Sequence, residues 1–253
     1  MKKNSLWVMA AILSCGLAAT SCSTKDNPVR PMEKAEVLAL DFEDGEVADY
    51  FGLVKAEAAL VTPEVEGSTG RAAAIVSGSD RGDYVKTDID FTGTLSYTVD
   101  MDLLLKKSCK ATQFGIMTEN AWEDWTSWMS NWGIFWKTNQ AQEHTAYLFT
   151  FEFNNSNTAN LMIDYDGTSQ NTLDFADDNW YHLTLTVDVN SRNVAYAITF
   201  KDDPSILASG EYVVPEGDSM FMKCIYWRNG RLNSGTGAVG VDNVKVNVVR
   251  YKN

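Results

Sequence analysis

The chain has 253 residues, 45% hydrophobic and 22% charged, with 17 Gly and only 5 Pro, a composition that belongs to a folded protein and excludes a disordered or fibrous one. Acidic residues outnumber basic ones 34 to 21, for a formal net charge of −13. No Lys/Arg stripe that could follow a phosphate backbone appears, so nucleic acid is not the partner.

The N-terminus reads as an export signal. Lys2 and Lys3 precede an apolar run over 6–19, which gives way to Thr20-Ser21-Cys22, the basic, apolar and small-residue order of a secretory signal peptide. The run falls short of the about 20 apolar residues that a spanning helix needs, and no later segment comes close. Ala19-Thr20-Ser21-Cys22-Ser23 resembles a bacterial lipobox, whose cysteine becomes the acylated first residue. Cys15, behind Ile12-Leu13-Ser14, is the rival, and ordinary signal cleavage is the third reading. Cys22 is preferred because cleavage at Cys15 would leave an apolar run of only about eight residues. Loss of residues 1–21 removes Lys2 and Lys3, so the mature balance is 19 − 34 = −15. Ser23-Thr24-Lys25-Asp26-Asn27 resembles the surface-export tag of Bacteroidetes lipoproteins. That resemblance implies an outer-membrane lipoprotein, held through its lipid anchor and displayed at the cell surface, with the periplasmic face as the alternative.

Residues 22–36 are polar beyond the cysteine, contain Pro28 and Pro31 and lack periodicity, as a flexible tether should. From Val37 to the end a single β-sandwich domain is expected. Short runs rich in β-branched and aromatic residues recur between Gly, Asn, Asp and Ser clusters, at 37–42, 72–76, 84–89, 95–105, 113–117, 132–136, 146–154, 161–165, 180–189, 194–200, 220–228 and 239–249, each a predicted strand. Over 180–189, Tyr181, Leu183, Leu185 and Val187 fall on one face and His182, Thr184, Thr186 and Asp188 on the other, the mark of a half-buried strand. Alternation on this scale without a sustained helical stretch predicts an all-β fold of two antiparallel sheets packed face to face.

Cysteine usage follows from the export reading. With Cys15 removed and Cys22 acylated, Cys109 and Cys224 remain, either bridged in an oxidising compartment or as two buried thiols. The two histidines, His144 and His182, have no cysteine set with which to build a zinc site.

Several segments together resemble a family. Asp41-Phe42-Glu43-Asp44-Gly45, Gly70-Arg71-Ala72-Ala73, Gly78 and Asp83-Tyr84-Val85 are similar to the opening of laminin-G-like domains of the concanavalin A-like jelly-roll superfamily. Tyr97-Thr98-Val99-Asp100-Met101 is similar to a central strand of such domains, residues 180–188 to their Trp-x-His strand, and Val241-Asp242-Asn243-Val244-Lys245-Val246 to their closing strand. The Asn-Gly turn usual after the Trp-x-His hairpin is replaced by Phe200-Lys201-Asp202-Asp203-Pro204. The resemblance implies a two-sheet jelly roll with a concave sheet of the kind used to bind carbohydrate, in a superfamily that also contains polysaccharide hydrolases and lyases.

Five of the eight tryptophans, Trp122, Trp125, Trp128, Trp132 and Trp136, lie within fifteen residues. An indole offers a broad apolar face to the C–H side of a pyranose and an N–H to a hydroxyl, so these rings, with Trp227 and the adjacent donor Arg228, are the candidate ligand-binding set. Core packing is the competing account, since large aromatics are mostly interior. Covering roughly 100 Å² of apolar surface per ring gives about 2.5 kcal/mol gross, so two rings support binding in the millimolar to micromolar range once association costs are deducted. The partner expected is a polysaccharide or oligosaccharide.

Catalysis has thinner support. Glycoside hydrolysis wants two carboxyls about 5 to 9 Å apart, and the Glu-x-Asp-x-Glu of laminarinase-type jelly rolls is absent. Glu152, between Phe151 and Phe153, is the weak acid candidate. His144, in Gln142-Glu143-His144, is the weak base candidate by its similarity to the Gln-x-His of alginate-lyase-type jelly rolls. Asp41, Glu43, Asp44 and Asp242 could bring hard oxygen ligands together if the chain ends of the sandwich lie side by side, which would suit a structural Ca²⁺. The leading expectation is an envelope lipoprotein that binds a glycan without cleaving it. A polysaccharide hydrolase or lyase, and a structural or adhesive protein that binds another protein, are the alternatives.

Overall fold

The computed structural model of the chain describes residues 30–54, 57–61, 70–76, 84–105, 111–117, 146–153, 159–164, 169–173, 179–214, 216, 220, 224–229 and 238–252. In chain order they form β1 (Met32–Leu40), the one-turn helix α1 (Val47–Tyr50), β2 (Leu53–Val54), β3 (Glu57–Val61), β4 (Ala72–Val76), β5 (Tyr84–Asp88), β6 (Thr94–Leu105) and β7 (Ala111–Met117). There follow β8 (Ala146–Phe153), β9 (Ala159–Asp164), β10 (Ser169–Leu173), β11 (Asn179–Asp188), β12 (Asn193–Phe200), β13 (Asp203–Val213), β14 (Cys224–Asn229) and β15 (Ala238–Tyr251). The eight-stranded sheet runs β13-β12-β11-β6-β15-β4-β3, with β1 also paired to β15. The seven-stranded sheet runs β10-β9-β8-β7-β14-β5-β2. Consecutive strands repeatedly switch sheets, and every pairing is antiparallel. This is the jelly-roll sandwich that the alternation predicts.

The pattern in β11 shows why the sheets stack. Tyr181, Leu183, Leu185 and Val187 are buried, whereas His182, Thr184 and Thr186 face partly into solvent. β11 pairs with β6 in the register Leu183↔Met101 and Leu185↔Val99, so Tyr97, Val99, Met101 and Leu103 join the same interior face. From the opposite sheet, Ile225 and Trp227 of β14 fill the space between. Each fully buried aliphatic side chain contributes about 1.5–3 kcal/mol, and this layer holds the two sheets together.

Some expected boundaries move. β1 begins at Met32 rather than Val37, so part of the predicted tether is strand. Its outer half alternates only between exposed and half-buried positions, and the backbone ladder to β15 holds it without an apolar signature. β13 was hidden by Pro204 and Gly210, residues that argue against a central strand. At a sheet edge a proline costs little, because its missing N–H can face solvent. β10, Ser-Gln-Asn-Thr-Leu, is likewise a polar edge strand. The strand predicted at 132–136 lies outside the described residues.

A tight turn links β1 to α1. Phe42 has φ 57°, unusual for a bulky residue, yet it is fully buried and packs on Tyr50 and Phe51 at ring-centroid distances of 4.9 and 5.8 Å. Arg71 clamps this turn from β4's approach, its guanidinium donating to the carbonyls of Glu43 and Gly45 at 3.1 and 3.2 Å. Gly70 has φ 86°, a conformation in which a side chain is strained, and an added Cβ would also displace the Glu43 carboxylate.

The register also fixes which strand ends meet. β5 passes into β6 through the short turn 89–93, so Asp88 and Thr94 share one end of the sandwich. Cys224 lies opposite Asp88, Met117 opposite Cys224, and Ala146 opposite Met117. In the other sheet Arg250 lies opposite Thr94 and Met32 opposite Tyr251. Residues 118–145 therefore leave and rejoin the sandwich at the end where β1 begins and β15 finishes.

Candidate functional site

Strands are depleted in Asp, yet the outer side of the eight-stranded sheet carries Asp100 and Asp102 on β6, with Asp242 beside them on β15. The register sets Asp102 opposite His182 on one neighbour and Asp242 on the other, and Asp100 opposite Thr184. Lys201 reaches the same place from the β12–β13 turn. On β15 the register slips between Asp242 and Lys245, and Asn243 takes φ 50°, the left-handed conformation that Asn tolerates better than most residues. This bulge lets one amide serve two carboxylates: Asn243 Nδ2 donates to Asp102 Oδ2 at 2.9 Å and to Asp242 Oδ2 at 3.1 Å. Its backbone N–H donates to Asp242 Oδ1 at 2.8 Å.

The cations complete the cluster. His182 Nδ1 lies 2.7 Å from Asp102 Oδ1, and its Nε2 lies 3.7 Å from Asp100 Oδ1. Lys201 Nζ is 3.2 Å from Asp102 and 3.6 Å from Asp242, and stands 5.0 Å from the Trp180 ring centroid. Thr184 donates its hydroxyl to Asp100 at 2.8 Å. The Asp102 and Asp242 side chains are 5% and 4% exposed, whereas His182 is 37% exposed. The network is sealed beneath and open above.

Three carboxylates face one imidazole and the ammonium groups of Lys201 and of Lys245, which lies opposite Asp100 and acts on it. Asp100 and Asp102 on either side of the ring raise His182 to about 9, against the opposing effect of burial. Burial raises Asp242 to about 6. Burial also opposes ionisation of Asp100 and Asp102, but the hydrogen bonds from His182, Thr184 and Asn243 outweigh it and hold both carboxyls below the ordinary value. At neutral pH His182 is thus an imidazolium with no lone pair to accept a proton, and Thr184 is committed to Asp100. His182 and Thr184 therefore offer charge and hydrogen bonds rather than a base or a nucleophile.

These shifts set a pH dependence. The stabilisation from His182 is complete below its unfolded value of 6.5 and disappears as pH rises through about 9. Asp242 binds its proton more tightly when folded, so folding also loses stability as pH climbs from 3.8 through about 6. Asp100 and Asp102 have the opposite sign and withdraw their contribution as pH falls below 3.8. The melting temperature is expected to peak in mildly acidic buffer and to decline from pH 6 to pH 9.5, with His182→Gln flattening the alkaline part of that decline. A parent profile that is level across this interval would refute the assignment.

The residues singled out from sequence are distributed differently. Trp227 is not a platform: it is 1% exposed, meets Phe51 edge-on at 5.7 Å, and donates its indole N–H to Met101 Sδ at 3.5 Å. It sits at an inward position of β14. Arg228 pairs through its backbone with Tyr84 and Gln113, and Glu152 lies on β8 opposite Ala111 and Asn160. Trp122, Trp125, Trp128, Trp132, Trp136, His144, Cys22 and Cys109 lie outside the described residues. Cys224 is fully buried on β14.

The four carboxylates proposed for Ca²⁺ do not converge. Asp41 Oδ1 accepts from the Glu43 N–H at 3.3 Å, Glu43 Oε1 accepts from the Arg71 N–H at 3.0 Å, and the Tyr50 hydroxyl lies 3.4 Å from Asp44 Oδ1 while donating to the Asp44 carbonyl. These three serve their own turn, while Asp242 serves Lys201 and Asn243. Among the described residues no group of three or more His, Cys, Asp or Glu side chains is placed to hold a metal ion. Sequence reasoning missed Asp100, Asp102, Lys201 and Asn243 as a unit. The available signal was two alternate acids on one face of a predicted strand, facing the His-x-Thr face of another.

No protein-family profile matches the sequence, and no curated protein matches it. Solved structures do. A lectin, UEA-II, in complex with galactose aligns over 85% of this chain and 100% of its own with a TM-score of 0.55 and 9% identity. Lectin II from Ulex europaeus gives 85% and 100% coverage, a TM-score of 0.51 and 8% identity. A protein of unknown function from Shewanella oneidensis MR-1 gives 90% of both chains, a TM-score of 0.54 and 9% identity. At such low identity the likeness speaks for the fold alone, and the fold of this chain is a two-sheet antiparallel jelly-roll sandwich like that of these lectins.

Proposed function

We propose that this chain is an envelope lipoprotein, acylated at Cys22, that binds a polysaccharide or oligosaccharide without cleaving it. The observation that carries the proposal is the match of the whole sandwich to a lectin solved with galactose. The tryptophan density between β7 and β8 supports it, since Trp122, Trp125, Trp128, Trp132 and Trp136 are the ring type that stacks on sugars. The basic, apolar and cysteine order of residues 1–22 supports the address.

Titrating a polysaccharide panel against intrinsic Trp fluorescence and in affinity gels is expected to give dissociation constants between about 1 mM and 1 μM for at least one glycan. Trp132→Ala and Trp136→Ala should each weaken that binding by roughly tenfold or more, with the fold checked by circular dichroism. No binding across the panel, or undiminished binding in both variants, would overturn the platform reading. New reducing ends or unsaturated products during the same incubations would replace it with a hydrolase or lyase.

A further inference from the structure

Of the large apolar side chains exposed among the described residues, four stand out: Met32, Ile206, Val213 and Tyr251. Two of them are neighbours. Met32, 55% exposed, lies directly opposite Tyr251, 43% exposed, where β1 begins and β15 ends. Lys34 and Lys252, both exposed, flank this pair, and the Lys252 N–H donates to the Pro31 carbonyl at 2.8 Å, tying the two chain segments together. The nearby Arg250 is engaged by Glu33 at 2.9 Å, so the outward charges on the two strand ends are Lys34 and Lys252 against Glu36. On a chain of net charge −13, an exposed Met–Tyr pair with two exposed lysines beside it is out of keeping with the rest, and it stands apart from the exposed Asp88, Asp90 and Asp188 of the same pole, which lie on other strands and turns. Tyr and Lys side by side are the residues that settle at the headgroup level of a bilayer, the ring at the polar boundary and the ammonium on phosphate.

The covalent chain points the same way. Nine residues, 23–31, separate Cys22 from Met32, ten Cα–Cα steps that span at most about 36 Å when fully extended and about 16–19 Å on average if the linker is flexible. With the anchor so near, the local concentration of headgroups at this end is high, and a weak contact is enough to orient the sandwich. We infer that the Met32–Tyr251 end, with Lys34 and Lys252, seats the domain against a surface of anionic phosphate-bearing lipid headgroups. This rests on acylation at Cys22.

Lysine footprinting tests the seat. The acylated full-length protein is reconstituted into vesicles of phosphatidylcholine alone or with 30% phosphatidylglycerol, and amine acetylation is read by mass spectrometry. Labelling of Lys34 and Lys252 is expected to fall at least about threefold on the anionic vesicles, and to recover in 0.5 M salt where screening is short-ranged, while Lys86 and Lys201 stay unchanged. Replacing Met32 with Ser should reduce the protection in protein that circular dichroism shows to be folded. Equal labelling on both vesicle types overturns the inference. So does protection by inorganic phosphate with neutral vesicles, which would reassign the lysines to a soluble anion. A protein without an acyl mass on its N-terminal peptide that fails to associate with either vesicle sinks the lipoprotein reading instead, whereas acylated protein with unprotected lysines sinks only the seat.

Discussion

Asp102→Ala is expected to destabilise the folded chain by about 3 kcal/mol, the cost of breaking a buried pair and leaving its partners uncompensated. Asp102 is the hub of the outer-face cluster: His182 Nδ1, Lys201 Nζ and Asn243 Nδ2 all meet its carboxylate, at 2.7, 3.2 and 2.9 Å. Removing it leaves two cations sharing a pocket with the half-satisfied Asp242. In a protein of this size such a loss lowers the melting temperature by roughly 6–12 °C. Asp102→Asn, which keeps the shape and one acceptor, should fall between. A melting temperature for Asp102→Ala within about 2 °C of the parent, less than 1 kcal/mol on the same scale, would mean that the ion pairs contribute nothing beyond their own desolvation.

Trp227→Ala is expected to cost about 4 kcal/mol, the middle of the range for emptying an aromatic site in a core. Its ring is enclosed by Phe51 and Met101 with 1% exposure, and a close-packed interior can collapse only partly around so large a void. Trp227→Phe should recover a substantial part of the loss. The effect separates two meanings of tryptophan in this chain. If glycan binding falls with Trp132→Ala at unchanged stability, while Trp227→Ala lowers stability and spares affinity in the folded fraction, core and platform are distinct. A stable Trp227→Ala protein that has lost glycan binding would overturn the placement of Trp227 in the interior.

Where the sequence was legible, side-chain periodicity carried the information. β4 spans the residues predicted for it, and the alternation of β11 named the inward set Tyr181, Leu183, Leu185 and Val187 correctly. Four described strands escaped altogether, β2, β3, β10 and the edge strand β13, together with the outer half of β1, whose exposed and half-buried positions carry no apolar signature and which its backbone ladder to β15 holds. The cluster was illegible for a different reason. His182 and Asp102 are eighty residues apart in the chain, and only the β6–β11 register makes them neighbours. Periodicity says which side of a strand a residue occupies and not which strand lies next to it. Trp227 shows the converse hazard, because an aromatic beside Arg228 and Asn229 looks like a binding residue until the pleat turns it inward.

The meeting of Met117, Ala146, Met32 and Tyr251 at one end of the sandwich has a mechanical consequence. Residues 118–145, which carry the five clustered tryptophans, are bracketed by Met117 and Ala146, so a load applied to that segment is taken up at the pole where β1 starts, while Val76, Leu105, Trp180 and Ala238 mark the far pole, a full strand length away.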